Sequence, residues 1–311
     1  TLGGEGRGYL SFPMRGHTLA LDFPAKPGVS ELLQKLERIT LDHGGRIYLA
    51  KDSVMSAESF AAMYPKVDAM RAVHRRFKGK PGTLAQYGDS ITITGAFLAH
   101  YAFARKIEPK NCPADVKREC EVVQKHADLD LWRKWKGIGN TGMTTNDWLF
   151  RGVDGWQKRL NPEAAVIMFG TNDGMPAPQY AENTASALRR ILANGTVPIL
   201  TSPPPKRNSN KEPYRLACLA IANGLKVPLI DFYTEILRRR PDDWDGQLPQ
   251  FKKYKGYQQP TLMHDAHPSN PSQWVNDFSE EGLNKNGYNL RNYMTIRAYY
   301  QVITKAFEAG G

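Results

Sequence analysis

Residues 164–169 read Ala-Ala-Val-Ile-Met-Phe, apolar at every position. A strand covered on both faces by helices shows such a continuous run, whereas a half-exposed strand alternates. Residues 197–201 and 227–231 repeat the pattern up to their last positions, Thr201 and Asp231, and residues 84–90 form an earlier strand that leads into a turn. Helix-period stretches fall between them at 180–193, 212–223 and 234–240, and a long helix over 287–309 closes the chain. Alternating strands and helices predict an α/β fold built on a doubly wound parallel sheet, with its site at the carboxyl ends of the strands. No internal repeat is apparent.

The bulk numbers narrow the function classes. Apolar residues make up 41% and charged residues 23% of 311, a globular composition. No run approaches the roughly 18 apolar residues of a membrane span. The net charge is +11, from 42 basic and 31 acidic residues, but the bases are scattered apart from 75–78 and 238–240. A nucleic-acid partner would need a basic stripe with interleaved aromatics, and none is seen. The three cysteines, Cys112, Cys120 and Cys218, lack metal-ligand spacing, and Cys112 and Cys120 could pair in an exported protein. Thr1 stands where Met is expected and no signal peptide is visible, so the start reads as processed or truncated. Cytoplasmic and exported locations both stay open, as does the oligomeric state.

Chemistry concentrates in four blocks. Gly88-Asp89-Ser90 follows the first strand, and a helix-like stretch over 95–106 follows it. A serine at a strand-to-helix turn presents its hydroxyl to a cleft, beside N–H groups that stabilise an anion. Gly139-Asn140-Thr141-Gly142-Met143-Thr144-Thr145 is a glycine-bearing loop. Gly170-Thr171-Asn172-Asp173-Gly174 ends the second strand, and His264-Asp265-Ala266-His267-Pro268-Ser269 lies near the C-terminus. Taken singly, Asn172 and Gly142 fit turn residues and Asp173 fits a helix cap or loop brace.

Together, in this order, the blocks resemble the SGNH hydrolases, also called the GDSL esterase/lipase family, over roughly 84–305. The resemblance implies the three-layer, flavodoxin-like SGNH fold. It implies Ser90 as nucleophile, and His267 as general base and then acid. The oxyanion hole would comprise the Ser90 and Gly142 N–H groups and the Asn172 side-chain amide. No metal or organic cofactor is implied. Each role has a chemical reason, because a serine hydroxyl needs an adjacent base and the tetrahedral intermediate needs hydrogen-bond donors. The family's acid lies three residues before the histidine, a position held here by His264. Asp265, two before it, is expected to turn inward as the third member of a triad; otherwise a backbone carbonyl orients His267.

Residues 1–78 have a different character. Strands are expected at 9–13, 18–23 and 46–50, and helices at 29–41 and 56–63, with Leu32, Leu33, Leu36 and Ile39 sharing one face. The strings LSFPMRGHTLALDFPAKPG, GGRIYLAKDS and FAAMYPKVD, within residues 1–74, resemble the C-terminal part of FAD-linked oxidases of the decaprenylphosphoryl-ribose oxidase type. That resemblance implies a flavin-side lysine at Lys51. No glycine-rich phosphate cradle precedes it, so flavin chemistry is not expected here. The expected organisation is thus an N-terminal α/β segment, 1–78, and a hydrolase-like domain, 79–311, with residues 75–82 as linker.

The resulting expectation is a serine esterase acting on small acyl esters, acetyl above all, on a carbohydrate or other small-molecule alcohol. Inserts at 107–136 and 241–262 carry Trp132, Trp135, Trp244, Tyr254 and Tyr257, which could wall a sugar cleft or lie in the core. The run 242–246 alternates carboxylates without full calcium-loop spacing. Two rivals remain: a non-catalytic carbohydrate-binding protein on a hydrolase scaffold, and a fragment or fusion of a flavin-linked oxidoreductase.

Overall fold

The structure, a computed structural model, describes residues 28–47, 65–133, 136–139 and 144–307. The chain divides into two compact units, Thr1–Met70 and Arg71–Gly311. In the first, helix α1 (Val29–Asp42) ends where Gly44 turns left-handed at φ 67°. Leu32 and Ile39 on α1 are 41% and 54% exposed, so its apolar face is only partly covered. Helix α2 (Pro65–His74) begins in the first unit and ends in the second. The strands expected at 9–13 and 18–23, the helix at 56–63 and Lys51 lie outside the described residues. So does most of the strand expected at 46–50, of which residues 46 and 47 are without regular structure.

The second unit is built on four parallel strands in the order β1 (Leu84–Gly88), β2 (Ala164–Met168), β3 (Val197–Thr201) and β4 (Leu229–Ile230). Every residue of β1, β2 and β3 is buried, as the apolar runs in β2 and β3 lead one to expect. β1 and β2 run in step from Leu84 beside Ala164 to Gly88 beside Met168. Between β1 and β2 lie α3 (Ala99–Ala104), α4 (Ala114–His126) and α5 (Asn146–Leu160); α6 (Ala177–Ala193) and α7 (Glu212–Leu225) link the later strands. Beyond β4 come α8 (Phe232–Arg239), a hairpin of β5 (Met263–His264) and β6 (His267–Pro268), then α9 (Glu280–Lys285) and α10 (Gly287–Val302). Helices α5, α6 and α7 pack neighbour on neighbour, while α10 packs on β3, β4, α4 and α8. Among the described residues, no helix is long and apolar enough to cross a membrane.

One strand position was not expected. Ile138 makes a parallel bridge to Gln86: the Gln86 N–H donates to Gly137 O at 2.9 Å, and the Gly139 N–H to Gln86 O at 3.4 Å. The chain therefore leaves β1 to one side, touches its free edge at 137–139, and crosses back to β2 on the other. A reversal of this kind is a topological switch point, the place where open α/β sheets put their sites, and Ser90 follows directly at the carboxyl end of β1.

Several expected elements are shorter than their patterns. β4 holds two residues because Pro228, just before it, has no N–H to donate. The helix expected over 95–106 is confined to α3, since Leu98 stands at φ 54° and breaks the run ahead of it. α10 gives way at Ile303–Phe307 to a π-helical turn.

Candidate active site

β1 must pass close to its neighbours before it can turn. A side chain at Gly88 would lie 2.1 Å from Thr92 Oγ1 and 2.7 Å from Met168 O, so only glycine fits. Asp89 then folds the turn on itself. Its Oδ1 accepts the Ile91 N–H at 3.0 Å, and its carbonyl accepts the N–H groups of Thr92 and Ile93 at 2.9 and 3.0 Å. Burial pushes the Asp89 carboxyl up to about 6, against the pull of the Ile91 N–H and the Arg291 charge.

Arg291, from α10, is fully buried beneath this turn. Nη1 donates to Ile91 O at 2.8 Å and Nη2 to Thr92 Oγ1 at 2.9 Å, with the guanidinium 3.7 Å from the Phe97 ring centroid. Burial brings its pKa down to about 10. Nothing in the local sequence singled it out, because it is one of several basic residues in the last quarter of the chain.

Ser90 is half-buried, with Oγ 2.8 Å from His267 Nε2. The imidazole comes from the β5–β6 hairpin, in which His264 pairs with His267. Ser269 anchors that hairpin. Its Oγ donates to Thr261 O at 2.5 Å and accepts the Gly287 N–H at 3.1 Å, and its carbonyl accepts the Tyr288 N–H. The first turn of α10 therefore grips the histidine loop while its next turn, through Arg291, grips the serine turn.

The structure does not bring Asp265 to His267. Asp265 is exposed at the tip of the hairpin with φ 57°, a left-handed turn position that aspartate tolerates. His267 Nδ1 is buried and accepts from or donates to nothing among the described residues, so neither Asp265 nor a backbone carbonyl of those residues orients it. Burial lowers the His267 pKa; the Asp265 charge opposes this, and Lys206 and His264 add to it. Tyr257 flanks both imidazoles edge to face, with centroids 5.3 Å from His264 and 5.9 Å from His267.

Asn172 lies at the neighbouring strand end, exposed, its Nδ2 donating to Thr144 O at 3.3 Å. Gly142 lies outside the described residues. Asp173 is a brace: Oδ1 accepts the N–H of Asn146, the first residue of α5, at 2.9 Å. The other sequence candidates divide. Trp132 is buried and so is no sugar platform, and Trp135 lies outside the described residues. In the run 242–246, Asp243 pairs with Arg240 and Asp245 with Arg207, which accounts for two of its carboxylates without a cation. The three cysteines are free thiols. Among the described residues, no cluster of three or more His, Cys, Asp or Glu side chains is placed to hold a metal ion.

Residues 87–272, more than half of the chain, match the GDSL-like Lipase/Acylhydrolase family. The chain belongs to that family, and its larger unit is an ester-hydrolase domain. Among solved structures, the acetyl xylan esterase AlAXEase is similar at 13% identity and a TM-score of 0.45, over 71% of this chain and 98% of that one. The esterase EstA from Pseudoalteromonas is similar at 12% identity and a TM-score of 0.41, over 72% and 99%. A separate likeness joins 66 residues, 21% of this chain, to the decaprenylphosphoryl-beta-D-ribose oxidase of Mycolicibacterium smegmatis at 47% identity. Only 14% of that relative's length is spanned.

Proposed function

We propose that this protein is a serine esterase that transfers a small acyl group through a covalent intermediate on Ser90. The observation that carries the reading is the 2.8 Å approach of Ser90 Oγ to His267 Nε2 at the carboxyl end of β1. With the ring proton on Nδ1, Nε2 takes the serine proton as Oγ attacks the ester carbonyl. The carbon–oxygen bond to the alcohol then breaks, His267 returns the proton to the departing oxygen, and water repeats the sequence in reverse to free the acid. Developing negative charge on the carbonyl oxygen falls to the Ser90 N–H, the Asn172 amide and, on the family's pattern, the Gly142 N–H.

Ser90 and His267 act as a dyad in this reading, with Asp265 contributing only its charge at a distance. The alcohol is a carbohydrate, and the acyl group is small, acetyl being the simplest case. Support for a sugar comes from Tyr257, 46% exposed with its ring beside His267, where a pyranose face can stack. Hydrolysis of p-nitrophenyl acetate by the wild type and by Ser90→Ala tests the reading. A loss of about 10⁴-fold or more is expected, and unchanged turnover by the variant would remove Ser90 from the role.

A further inference from the structure

The loop after β3 sends two ammonium groups back to the turn that carries Asn172. Lys206 Nζ donates to Thr171 O at 3.2 Å, and Lys211 Nζ donates to Asp173 O at 2.7 Å. The carbonyls on either side of Asn172 are thus each held by a lysine. The two lysines differ in what else they can reach. Lys211 is only 3% exposed, and its charge lies among the buried carboxylates of Asp173 and Asp89. Lys206 is half-buried, and no carboxylate among the described residues lies within ion-pair distance of it. The basic residue next to it, Arg207, is paired with Asp245 at 3.5 Å. An ammonium carries three donors, and the described residues occupy one of those on Lys206.

We infer that Lys206 recognises an anionic group on the substrate, so that the ester cleaved at Ser90 carries a carboxylate or phosphate near its scissile carbonyl. The inference rests on the reading of Ser90 and His267 given above and extends it to substrate class. It also answers an electrostatic difficulty. When His267 takes the serine proton it becomes an imidazolium with no carboxylate on Nδ1 and with the Lys206 charge nearby. A substrate anion seated on Lys206 neutralises that like charge as the imidazolium forms, which favours the transition state of an anionic ester over that of a neutral one.

The test compares matched esters with the wild type, Lys206→Met and Lys206→Arg at low ionic strength. One pair places the charge on the acyl side, mono-4-nitrophenyl succinate against 4-nitrophenyl butyrate. The other places it on the alcohol side, 4-acetoxybenzoate against its methyl ester. The ratio of kcat/KM for the anionic over the neutral ester should fall about 10- to 100-fold in Lys206→Met for at least one pair. It should stay within about threefold in Lys206→Arg, and the wild-type preference should shrink as salt is added. The pair that responds tells which side of the ester bears the charge. If both ratios are unchanged in Lys206→Met, even where all rates drop together, Lys206 merely props Thr171 and the inference is overturned. Should the wild type cleave none of the four esters, the esterase reading itself fails and takes this inference with it.

Discussion

The two ends of the parallel sheet each hold histidine, and they are opposite in design. At the amino end of β2, Glu163 is buried and fully engaged: Oε1 accepts from His74 at 2.9 Å, and Oε2 from His126 at 2.8 Å and from the Gly82 N–H at 2.6 Å. Phe307 stacks on both imidazoles, at 4.2 and 5.5 Å. Burial alone would raise the Glu163 carboxyl, but these donors outweigh it and bring it down to about 2. At the carboxyl end of β1, His267 has one nitrogen on Ser90 and the other on nothing among the described residues. A saturated network ties α2, α4 and the residue before β2 together, whereas an orphaned Nδ1 leaves an imidazole whose proton affinity its surroundings keep low. On the proposed reading, the first arrangement serves stability and the second serves proton transfer.

If that contrast is right, substitutions at the two ends should separate rate from stability. The largest effect on rate short of the catalytic pair belongs to Arg291, a positioning residue that acts through the serine turn. Arg291→Met should lower kcat by roughly 100-fold with KM within about threefold, since a nucleophile displaced by about 1 Å loses that much. Steady-state kinetics at a temperature where circular dichroism shows the variant folded would check this; equal losses in kcat and binding would point to general disruption instead.

At the other end, Glu163→Gln should cost about 3 kcal/mol in urea unfolding while kcat per folded molecule stays at the wild-type value. The pH dependence has a defined sign. The Glu163 carboxyl is depressed from its ordinary 4.5 to about 2, so its contribution is present above pH 4.5 and is lost as pH falls toward 2. Wild-type stability should therefore decline through that window, and Glu163→Gln should show a shallower decline. Parallel slopes would mean that other carboxylates govern acid unfolding.

What could be read in advance follows the same division. The strands were legible because residues 164–169 and 197–200 are apolar throughout, as a strand between helix layers requires. Ser90 and His267 were legible because each sits in a short block whose residue types the turn demands: glycine at 88 for close passage, and serine at 269 to anchor the hairpin. The edge at 137–139 was not, since a single bridge leaves no periodic signature. Nor was Arg291, whose role depends on α10 crossing beneath a turn about 200 positions earlier in the chain. The orientation of Asp265 rests on a backbone angle, φ 57°, that spacing alone does not encode.

The smallest predicted change is also the most direct test of the central claim, that His267 works without a carboxylate on Nδ1. Its proton affinity is lowered by burial, so the acid limb of kcat/KM for p-nitrophenyl acetate should have its midpoint below the ordinary histidine value of 6.5. Because the Asp265 charge raises that affinity, Asp265→Asn should move the midpoint slightly further down and leave the plateau kcat within about threefold of wild type. A plateau loss of about 10⁴-fold, as when a triad aspartate is replaced, would contradict the dyad and place Asp265 on the imidazole during turnover.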